Sequence, residues 1–329
     1  MKDRPLSLHI PRGVIIEDYL KIARIDHWFK NLFMLFGVLF AYFHNPAGVG
    51  INRLPLILIS VFATCLVASS NYVLNEIQDA EFDKIHPKKK FRPIPSDRVI
   101  LSIAYFEWVL FGVIGSLLAA TVNRPFFYTI IAFLIAGIIY NVKPFRAKDI
   151  PYLDVLSESI NNPLRLLLGW FTFVPNQFPS VSLLISYWMI GAFFMAIKRF
   201  AEIRYLNDEQ IAGSYRKSFN HYTETRLMAS ISIYISIFAF FLGIFVLKYH
   251  FELILSLPFI VGFIAIYLKI GYQENSAVQS PERLYEDKGF MVYAVACLLI
   301  FIVLLFTNIP AIYMLFNVQP PQISPLWTF

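Results

Sequence analysis

The stretch "LPLILISVFATCLVASSNYVLNEIQDAEFDKIHPKKKFRPIPS", residues 54–96, joins a long apolar run directly to the most hydrophilic part of the chain. Residues 54–75 are long enough to cross a bilayer as a helix, which takes roughly 20 apolar residues. The residues that follow carry four acids and then five bases: Glu76, Asp79, Glu81, Asp83, Lys84, Lys88, Lys89, Lys90 and Arg92. This stretch predicts a membrane-spanning helix with dense charge at one end.

The rest of the chain repeats the apolar pattern. Of its 329 residues, 57% are hydrophobic and 15% are charged, against about 25% charged residues in soluble domains. The apolar runs predict nine spans, at 29–45, 54–75, 99–120, 125–142, 154–174, 180–200, 227–247, 251–271 and 288–309. We therefore expect an all-α polytopic membrane protein, a nine-transmembrane-helix bundle, with no nucleic acid among its partners.

Three regions follow from these spans. Residues 1–28 form an N-terminal segment whose spacing predicts a helix on the membrane surface at 13–28. Residues 29–309 form the membrane domain, and residues 310–329 an uncharged tail along the opposite interface. The first 28 residues lack the apolar core of a signal peptide. Two cysteines, both inside predicted spans, predict neither a disulfide framework nor a zinc site.

The basic residues orient the predicted bundle. With a cytoplasmic N-terminus, 24 of the 28 Lys and Arg fall on the cytoplasmic side and three on the other, with Arg165 inside a span. Cytoplasmic loops of membrane proteins carry such an excess of Lys and Arg. We therefore expect an integral protein of the inner or plasma membrane, with its N-terminus and its charged helix ends in the cytoplasm.

The acids after the second span share one helical face. If the helix continues to about residue 83, Asn71, Asn75, Asp79 and Asp83 are spaced four residues apart and lie one turn above another. Carboxylates stacked in this way repel each other unless a cation lies between them. Oxygen ligands with open positions suit Mg²⁺, which binds one or two carboxylates together with substrate phosphates. We predict that Asn75, Asp79 and Asp83 hold Mg²⁺.

The basic loop complements this face. Pro87, Pro93 and Pro95 bend the segment that carries the bases, and Lys and Arg can neutralise a diphosphate that Mg²⁺ bridges. We predict phosphate contacts from Lys84, Lys89 and Arg92. The alternative is a solvated helix end followed by a loop that only sets topology, which leaves the one-face spacing of the acids unexplained.

Further polar residues lie at the same predicted side. Asp154 stands where the fifth span begins, and Arg165, inside that span, indicates either a polar cavity or a buried structural network. The remaining candidates are bases that could bind phosphate or anchor a helix, and two residues that could bind a hydroxylated substrate or lie at the membrane interface. They are Lys30, Lys148, Lys198 and Arg199 for phosphate, and Tyr140 and Asn141 for hydroxyls.

These motifs resemble a known family. "NEIQDAEFD" (75–83) is similar to the Asn-Asp-x-x-Asp-x-x-x-Asp signature of the UbiA superfamily of intramembrane prenyltransferases, with Glu76 in place of the usual Asp. "DKIHPKKKFRPIPS" (83–96), "RIDHWFKNLFMLFG" (24–37) and "KDIPYLDVLSESINNPLRLLLGW" (148–170) resemble its decaprenyl-phosphate phosphoribosyltransferase branch. So do "KRFAEI" (198–203) and "SPERLYEDK" (280–288). The likeness runs in order over about residues 20–290.

The resemblance implies an enzyme. It implies Mg²⁺-dependent transfer of 5-phosphoribosyl from phosphoribosyl diphosphate to a polyprenyl phosphate, with Asp79, Asp83 and Asp154 as catalytic residues. The first alternative is prenyl transfer from a polyprenyl diphosphate to an aromatic or other acceptor, and the second is a transporter of an anionic metabolite. Lipid length and assembly state are left open, with a homo-oligomer among the options.

Overall fold

The computed structural model describes residues 16–48, 50–85, 89–206, 216–274, 276–279, 284 and 286–319. These residues form a helical bundle, as predicted. Seven helical segments are long and apolar enough to cross a membrane: Leu54–Asp83, Leu101–Val122, Arg124–Asn141, Val181–Tyr205, Glu224–Tyr249, Phe251–Gly271 and Lys288–Leu305. Each coincides with one of the nine predicted spans.

The helices are numbered here in chain order over the described residues. The α-helices are α1 (Ile16–Ile22), α2 (Leu35–His44), α3 (Leu54–Asp83), α4 (Leu101–Val122), α5 (Arg124–Asn141), α6 (Leu153–Ser159), α7 (Asn161–Phe171), α8 (Val181–Leu206), α9 (Glu224–Tyr249), α10 (Leu257–Gly271), α11 (Lys288–Leu305) and α12 (Pro310–Phe316). The longer 3₁₀ segments are Ile25–Met34, Phe251–Ser256 and Lys217–Asn220, and three-residue turns form at Pro46–Gly48, Ile51–Arg53, Lys89–Phe91, Ala147–Asp149 and Ala277–Gln279.

The other two predicted spans are interrupted helices. The run 29–45 begins within the 3₁₀ segment Ile25–Met34 and continues as α2. The run 154–174 is divided into α6 and α7 around Ile160. Pro163 explains this second break, because proline has no N–H with which to bond the carbonyl four residues earlier. Counting these two with the seven long helices is compatible with the predicted nine.

The interrupted segments pack tightly against each other. A Cβ atom added to Gly169 in α7 would lie 1.8 Å from the Met34 carbonyl oxygen, and one added to Gly37 in α2 would lie 2.0 Å from that of Leu166. Small residues permit such backbone contact between membrane helices. Elsewhere α3 packs on α4 and α5, and α8 packs on α9. The result is a bundle in which α3, α5 and α8 all reach the charged end.

A small second core supports that charged end. It joins α1, the last turns of α3, the loop after it and the start of α4, through Ile22, Ala23, Val73, Ile77, Ile94, Val99 and Ala104. Arg98 also donates to the buried Asp18 of α1, with Nη1 and Oδ1 2.8 Å apart. Of the surface helix predicted at 13–28, the structure has an α-helix over Ile16–Ile22 and the start of the 3₁₀ segment Ile25–Met34, and residues 13–15 lie outside the described part of the chain.

The predicted tail begins with a short helix. Within α12 the Tyr313 hydroxyl donates to Glu252 Oε2 at 2.7 Å, which fixes the helix against the segment between α9 and α10. Residues 320–329 lie outside the described residues.

Candidate active site

The predicted acidic face of α3 is turned towards α5. Asn71 donates its amide to the Phe133 carbonyl at 3.0 Å. One turn further on, Asn75 Nδ2 donates to Asn141 Oδ1 at 2.7 Å and to Asp79 Oδ2 at 3.2 Å. The helix does continue to residue 83, as the spacing predicted. It therefore carries this face past the apolar run to the level where α5 ends.

Asp79 lies at the centre of a cluster of cations. Its Oδ1 accepts from Lys148 Nζ at 2.5 Å and from Arg146 Nη2 at 3.0 Å. Lys148 also donates to Asn141 Oδ1 at 2.8 Å, and Arg146 to Asp149 Oδ2 at 3.0 Å. Both cations are buried. Lys148 was among the predicted phosphate ligands but Arg146 was not, because nothing in the local sequence shows that this arginine contacts α3.

The link that carries these cations has an unusual backbone. Arg146 and Tyr152, on either side of the turn Ala147–Asp149, have φ angles of 33° and 64°. Residues other than glycine rarely adopt positive φ, and they keep it only where surrounding contacts hold them. Here the Arg146 guanidinium lies over the Phe82 ring at 4.9 Å and donates to the Gln78 carbonyl at 3.3 Å. The link is thus fastened to the last turns of α3.

Two lysines of this region have lowered pKa values. Burial lowers the pKa of Lys148 to about 8, against the opposing effect of the Asp79 carboxylate. Burial likewise lowers the pKa of Lys89 to about 7, and the Glu202 carboxylate opposes it. An anion that binds beside either amine favours its charged form. Both lysines are therefore suited to taking up an anionic ligand near neutral pH.

The basic loop after α3 contributes Arg92. Its Nη1 lies 2.6 Å from Oδ2 of the buried Asp83. Lys84 instead pairs with Glu81 at 2.9 Å on the exposed side of the helix, so it is not brought to the cluster. Pro87 and Lys88 lie outside the described residues.

Glu76 has a different partner. Its buried carboxylate accepts from the backbone N–H of Ile94 at 3.2 Å. The side chain thus fastens the loop that carries Arg92 to α3, and it does not join Asn75 and Asp79.

A second cluster has arginine at its centre. The fully buried Arg199 donates Nε to Asp154 Oδ2 at 3.2 Å and Nη1 to Glu202 Oε2 at 3.0 Å, and Nη2 contacts Glu158 Oε2. Asp154 also accepts from the Tyr222 hydroxyl at 2.5 Å. Arg199 therefore binds three carboxylates, and the predicted candidates Asp154 and Arg199 are partners of each other.

Glu158 and Glu202 were not predicted as site residues, although a spacing rule groups them with Asp154 and Arg199. Glu158 follows Asp154 by four residues and Glu202 follows Arg199 by three, so each pair shares a helical face. Tyr140, predicted as a hydroxyl ligand, donates to Glu158 Oε2 at 2.9 Å. Because Asn141 bonds both Asn75 and Lys148, the end of α5 lies between the two clusters.

A third group of predicted bases lies deeper. Arg165 is buried and donates Nε to Asn31 Oδ1 at 3.0 Å, and its guanidinium lies 5.3 Å from the Phe133 ring centre. Lys30 Nζ lies 3.1 Å from His27 Nδ1. Burial, followed by the charges of Lys30, Arg24 and Lys198, lowers the pKa of His27 to about 3. Positive charge thus accumulates beside the 3₁₀ segment.

The α3 face fits a magnesium ion in its chemistry. Asn75, Asp79 and Asp83 offer oxygen atoms only, one helical turn apart, and Mg²⁺ typically takes one or two carboxylates and completes its shell with substrate and water oxygens. No group of three His, Cys, Asp or Glu side chains arranged to hold a metal occurs among the described residues. The α3 face therefore suits a metal that arrives with an oxygen-rich ligand.

The fold and this site define a polytopic membrane protein with an acid- and base-lined site at one end of a helical bundle. Residues 31–291 match the model of the UbiA prenyltransferase family. The chain belongs to that family, as the motifs predicted.

Characterised relatives share part of its length. The chain is 28% identical over 226 residues to a decaprenyl-phosphate phosphoribosyltransferase of Mycolicibacterium smegmatis, covering 66% of each protein. It is 27% identical over 230 residues to the enzyme of that name from Corynebacterium glutamicum, over 66% of this chain and 63% of the relative. The chain thus spans just under two thirds of these relatives. A shorter match, 34% over 91 residues, covers 27% of this chain and 31% of a digeranylgeranylglyceryl phosphate synthase of Saccharolobus solfataricus.

Solved structures share the fold. A UbiA homologue of Archaeoglobus fulgidus, determined with GPP and Mg²⁺ bound, superposes with a TM-score of 0.66 at 17% identity, over 88% of this chain and all of that one. The same homologue has also been solved with Cd²⁺, with a TM-score of 0.63. Divalent metals thus occur with this fold, and the likeness supports the bundle architecture of the present chain.

Proposed function

We propose that this protein transfers 5-phosphoribosyl from phosphoribosyl diphosphate to a polyprenyl phosphate, with Mg²⁺ as cofactor. The observation that carries the proposal is the joint arrangement at the end of α3. Asp79 and Asp83 lie one turn apart, and each is bonded to cations from outside the helix, Arg146 and Lys148 on one and Arg92 on the other. Acids that can hold a metal and bases that can neutralise phosphate are what a diphosphate donor requires.

Each side chain of the site has a proposed task. Asn75, Asp79 and Asp83 would hold Mg²⁺, which when bound would supply positive charge that stabilises the leaving diphosphate. Arg92 and Lys89 would neutralise the leaving diphosphate, and Lys148 would bind a donor phosphate beside Asp79. Tyr140 and Asn141 would bond the ribose hydroxyls. Asp154 would act through its partner Arg199, whose Nη2 lies 3.5 Å from the Tyr140 hydroxyl at the end of α5.

The reaction requires little proton transfer. A phosphate oxygen of the acceptor forms a bond to the anomeric carbon of ribose as the bond from that carbon to the diphosphate oxygen breaks, and the diphosphate leaves with the bonding electrons. The acceptor oxygen is already anionic at neutral pH, so no strong general base is needed. Catalysis then consists mainly of positioning and of stabilising charge.

The acceptor is proposed to reach the site from the bilayer. Lys30, Arg165 and Lys198 supply positive charge beside the 3₁₀ segment, where Phe29 and Phe33 are about half exposed towards the surroundings of the bundle. A lipid phosphate bound to these bases would keep its chain in the apolar phase. The names of the Mycolicibacterium and Corynebacterium relatives support this choice of acceptor.

The alternative is prenyl transfer from a polyprenyl diphosphate to an aromatic or other acceptor. It would use the same face of α3, and the Archaeoglobus homologue solved with GPP supports it at the level of the fold. We favour phosphoribosyl transfer because two anionic substrates require the excess of Lys and Arg that surrounds Asp79.

The decisive experiment supplies radiolabelled phosphoribosyl diphosphate, a polyprenyl phosphate and Mg²⁺ to the purified protein in detergent. We expect label in the organic phase, dependent on Mg²⁺ and abolished by Asp79→Asn. The matched control is Glu81→Gln, two residues along the same helix but on its exposed side, which should remain active. Turnover of a prenyl diphosphate with an aromatic acceptor, and none of phosphoribosyl diphosphate, would show that the alternative is correct.

The orientation and the three regions belong to the same proposal. Residues 1–28 and the acidic end of α3 would face the cytoplasm, residues 29–309 would form the catalytic membrane domain, and residues 310–329 would lie at the opposite interface. A cysteine placed at Lys90 should be protected from a membrane-impermeant maleimide in intact cells, and one placed at Arg53 should be labelled. The reverse pattern would contradict this orientation.

A further inference from the structure

Three cations converge on one small cavity beside α3. The cavity is lined by Arg146, Lys148 and Arg216, together with Asp79, Asp149 and the Phe82 ring. Arg146 and Lys148 come from the link after α5, and Arg216 comes from the segment that precedes α9, so two separate parts of the chain supply the positive charge. The cavity therefore has more cations than carboxylates on its walls.

Arg216 is the member whose hydrogen-bonding capacity is least used. Its Nη1 is buried and has no hydrogen-bond partner in the described part of the protein. Asp154 Oδ2 lies 3.5 Å from this nitrogen. A guanidinium carries five N–H donors, and buried donors are nearly always satisfied by protein, water or ligand. Arg216 thus has donor capacity left for a ligand in the cavity that it lines.

Arg146 and Lys148 are held ready for the same kind of ligand. Both share Asp79 Oδ1, and the positive φ of Arg146 keeps the link pressed against α3. Backbone conformations of this rare kind persist at sites where a ligand is gripped. If Asp79 binds a metal ion, its carboxylate neutralises Arg146 and Lys148 less. A dianionic group in the cavity would restore the balance of charge.

A second cluster of bases lies beside Asp83, one helical turn after Asp79. Arg92 pairs with Asp83, with Nη1 and Oδ2 2.6 Å apart, and Lys89 belongs to the same loop. Residues four apart on a helix differ by roughly 6 Å along its axis. The acids of α3 thus separate two clusters of bases. A prenyl diphosphate has a single anionic end and needs one such cluster, whereas a sugar donor with phosphate at both ends needs two.

We propose that Arg216, with Arg146 and Lys148, forms the seat for the 5-phosphate of the donor, and that Arg92, which pairs with Asp83, takes its diphosphate. The proposal rests on the function proposed above and adds the residues that distinguish a phosphorylated sugar from a prenyl donor. Arg216 contacts substrate in this arrangement, and its guanidinium group can donate hydrogen bonds to two phosphate oxygens at once.

Two partial ligands test the seats separately. Ribose 5-phosphate carries only the 5-phosphate, and pyrophosphate carries only the diphosphate, so each should compete with the donor at one seat. We expect Arg216→Gln to raise the inhibition constant of ribose 5-phosphate by about tenfold or more, because a charged bidentate contact is lost. The same variant should change that of pyrophosphate by less than about twofold. Arg92→Gln should give the reverse pattern.

A matched control and a metal-free readout complete the design. Arg204→Gln removes the same charge from the end of α8, where Arg204 faces Glu224 and the Tyr272 ring, and should leave both inhibition constants unchanged. With EDTA present, ribose 5-phosphate should raise the melting temperature of the wild type and of Arg204→Gln but not that of Arg216→Gln. Arg216→Lys, which keeps the charge without the fork, should show an intermediate loss and replaces Arg216→Gln if that variant does not fold.

The possible results separate the seat from the reaction. Equal changes for both inhibitors in Arg216→Gln and Arg92→Gln, or no change in the Arg216 variants, would overturn the seat while phosphoribosyl transfer by the wild type still stands. A wild type that neither turns over phosphoribosyl diphosphate nor is inhibited by ribose 5-phosphate would overturn the proposed function itself, and the seat with it.

Discussion

The clusters around Asp79 and Arg199 contain the same residue types in opposite arrangements. In the first, a carboxylate with an 18% exposed side chain is surrounded by cations beside a cavity. In the second, a guanidinium that is 1% exposed is surrounded by three carboxylates, and Asp154 is fully buried. The first cluster can exchange its cations for a ligand. The second is an internal ion network, because each of its three carboxylates is paired with Arg199 within the folded protein.

We expect the largest effect on activity from a substitution at Asp79. Asp79→Asn keeps the size of the side chain and removes its charge, so we expect transferase activity to fall by about a thousandfold. Its melting temperature should fall only modestly, since the amide oxygen can still accept a hydrogen bond from Lys148 or Arg146. Activity assays and thermal unfolding in detergent would check both expectations. A variant that unfolds without losing specific activity would make Asp79 a structural residue.

Arg199 should behave in the opposite way. Arg199→Met leaves three carboxylates without their buried partner, and breaking such a network costs about 3–5 kcal/mol of stability. We expect a clear fall in the melting temperature and a loss of folded protein before any specific effect on turnover. Arg199→Lys should recover part of the stability. A stable Arg199→Met protein that has only lost affinity for substrate would move this arginine into the binding site.

Lys89 sharpens the comparison through its pH dependence. Because its pKa is lowered to about 7, its charge is present below that pH and is lost above it. Lys89 faces Glu202, Asp83, Arg92 and Arg216. We expect kcat/KM for the donor to fall about threefold to tenfold between pH 6.5 and 8, since this ratio reports on the free enzyme. Lys89→Arg keeps its charge throughout and should flatten the profile. A profile unchanged in Lys89→Arg would exclude this lysine as the cause.

Lys84 should show the smallest effect. It belongs to the same basic stretch as Arg92, but it lies 43% exposed and pairs with an exposed Glu81. Exposed ion pairs typically contribute about 0–1 kcal/mol. Lys84→Gln should therefore leave stability and turnover close to those of the wild type. A large loss of donor affinity in Lys84→Gln would mean that the basic loop moves towards the site when substrate binds.

Most of the fold could be predicted because it depends on local apolar runs. A run of roughly 20 apolar residues must form a helix in a bilayer, where unpaired backbone groups are costly. Seven predicted spans correspond to seven long helices for that reason. The two interrupted spans contain polar residues or proline. Asn161 and Pro163 lie inside the run 154–174, and their presence did not show at which residue the first helix would end.

Only part of the candidate site could be predicted from the sequence. Asn75, Asp79 and Asp83 could be grouped because residues four apart share a face of any helix. Arg146 and Arg216 could not, because they approach Asp79 from segments 67 residues along the chain and further. Nor could the sequence show that Glu76 bonds the backbone of Ile94, which lies 18 residues away in a loop.

The sequence by itself determined the membrane helices, the family and the row of oxygen ligands on α3, since each of these depends on composition or on spacing within one segment. Only the tertiary structure decided which cation meets which acid. That choice depends on how α5, α8 and their links pack around the end of α3. The pairing energy of buried charges then follows from distances that spacing along the chain cannot specify. For this reason acids and bases at the same end of the bundle became a cavity-lining site around Asp79 and an internal ion network around Arg199.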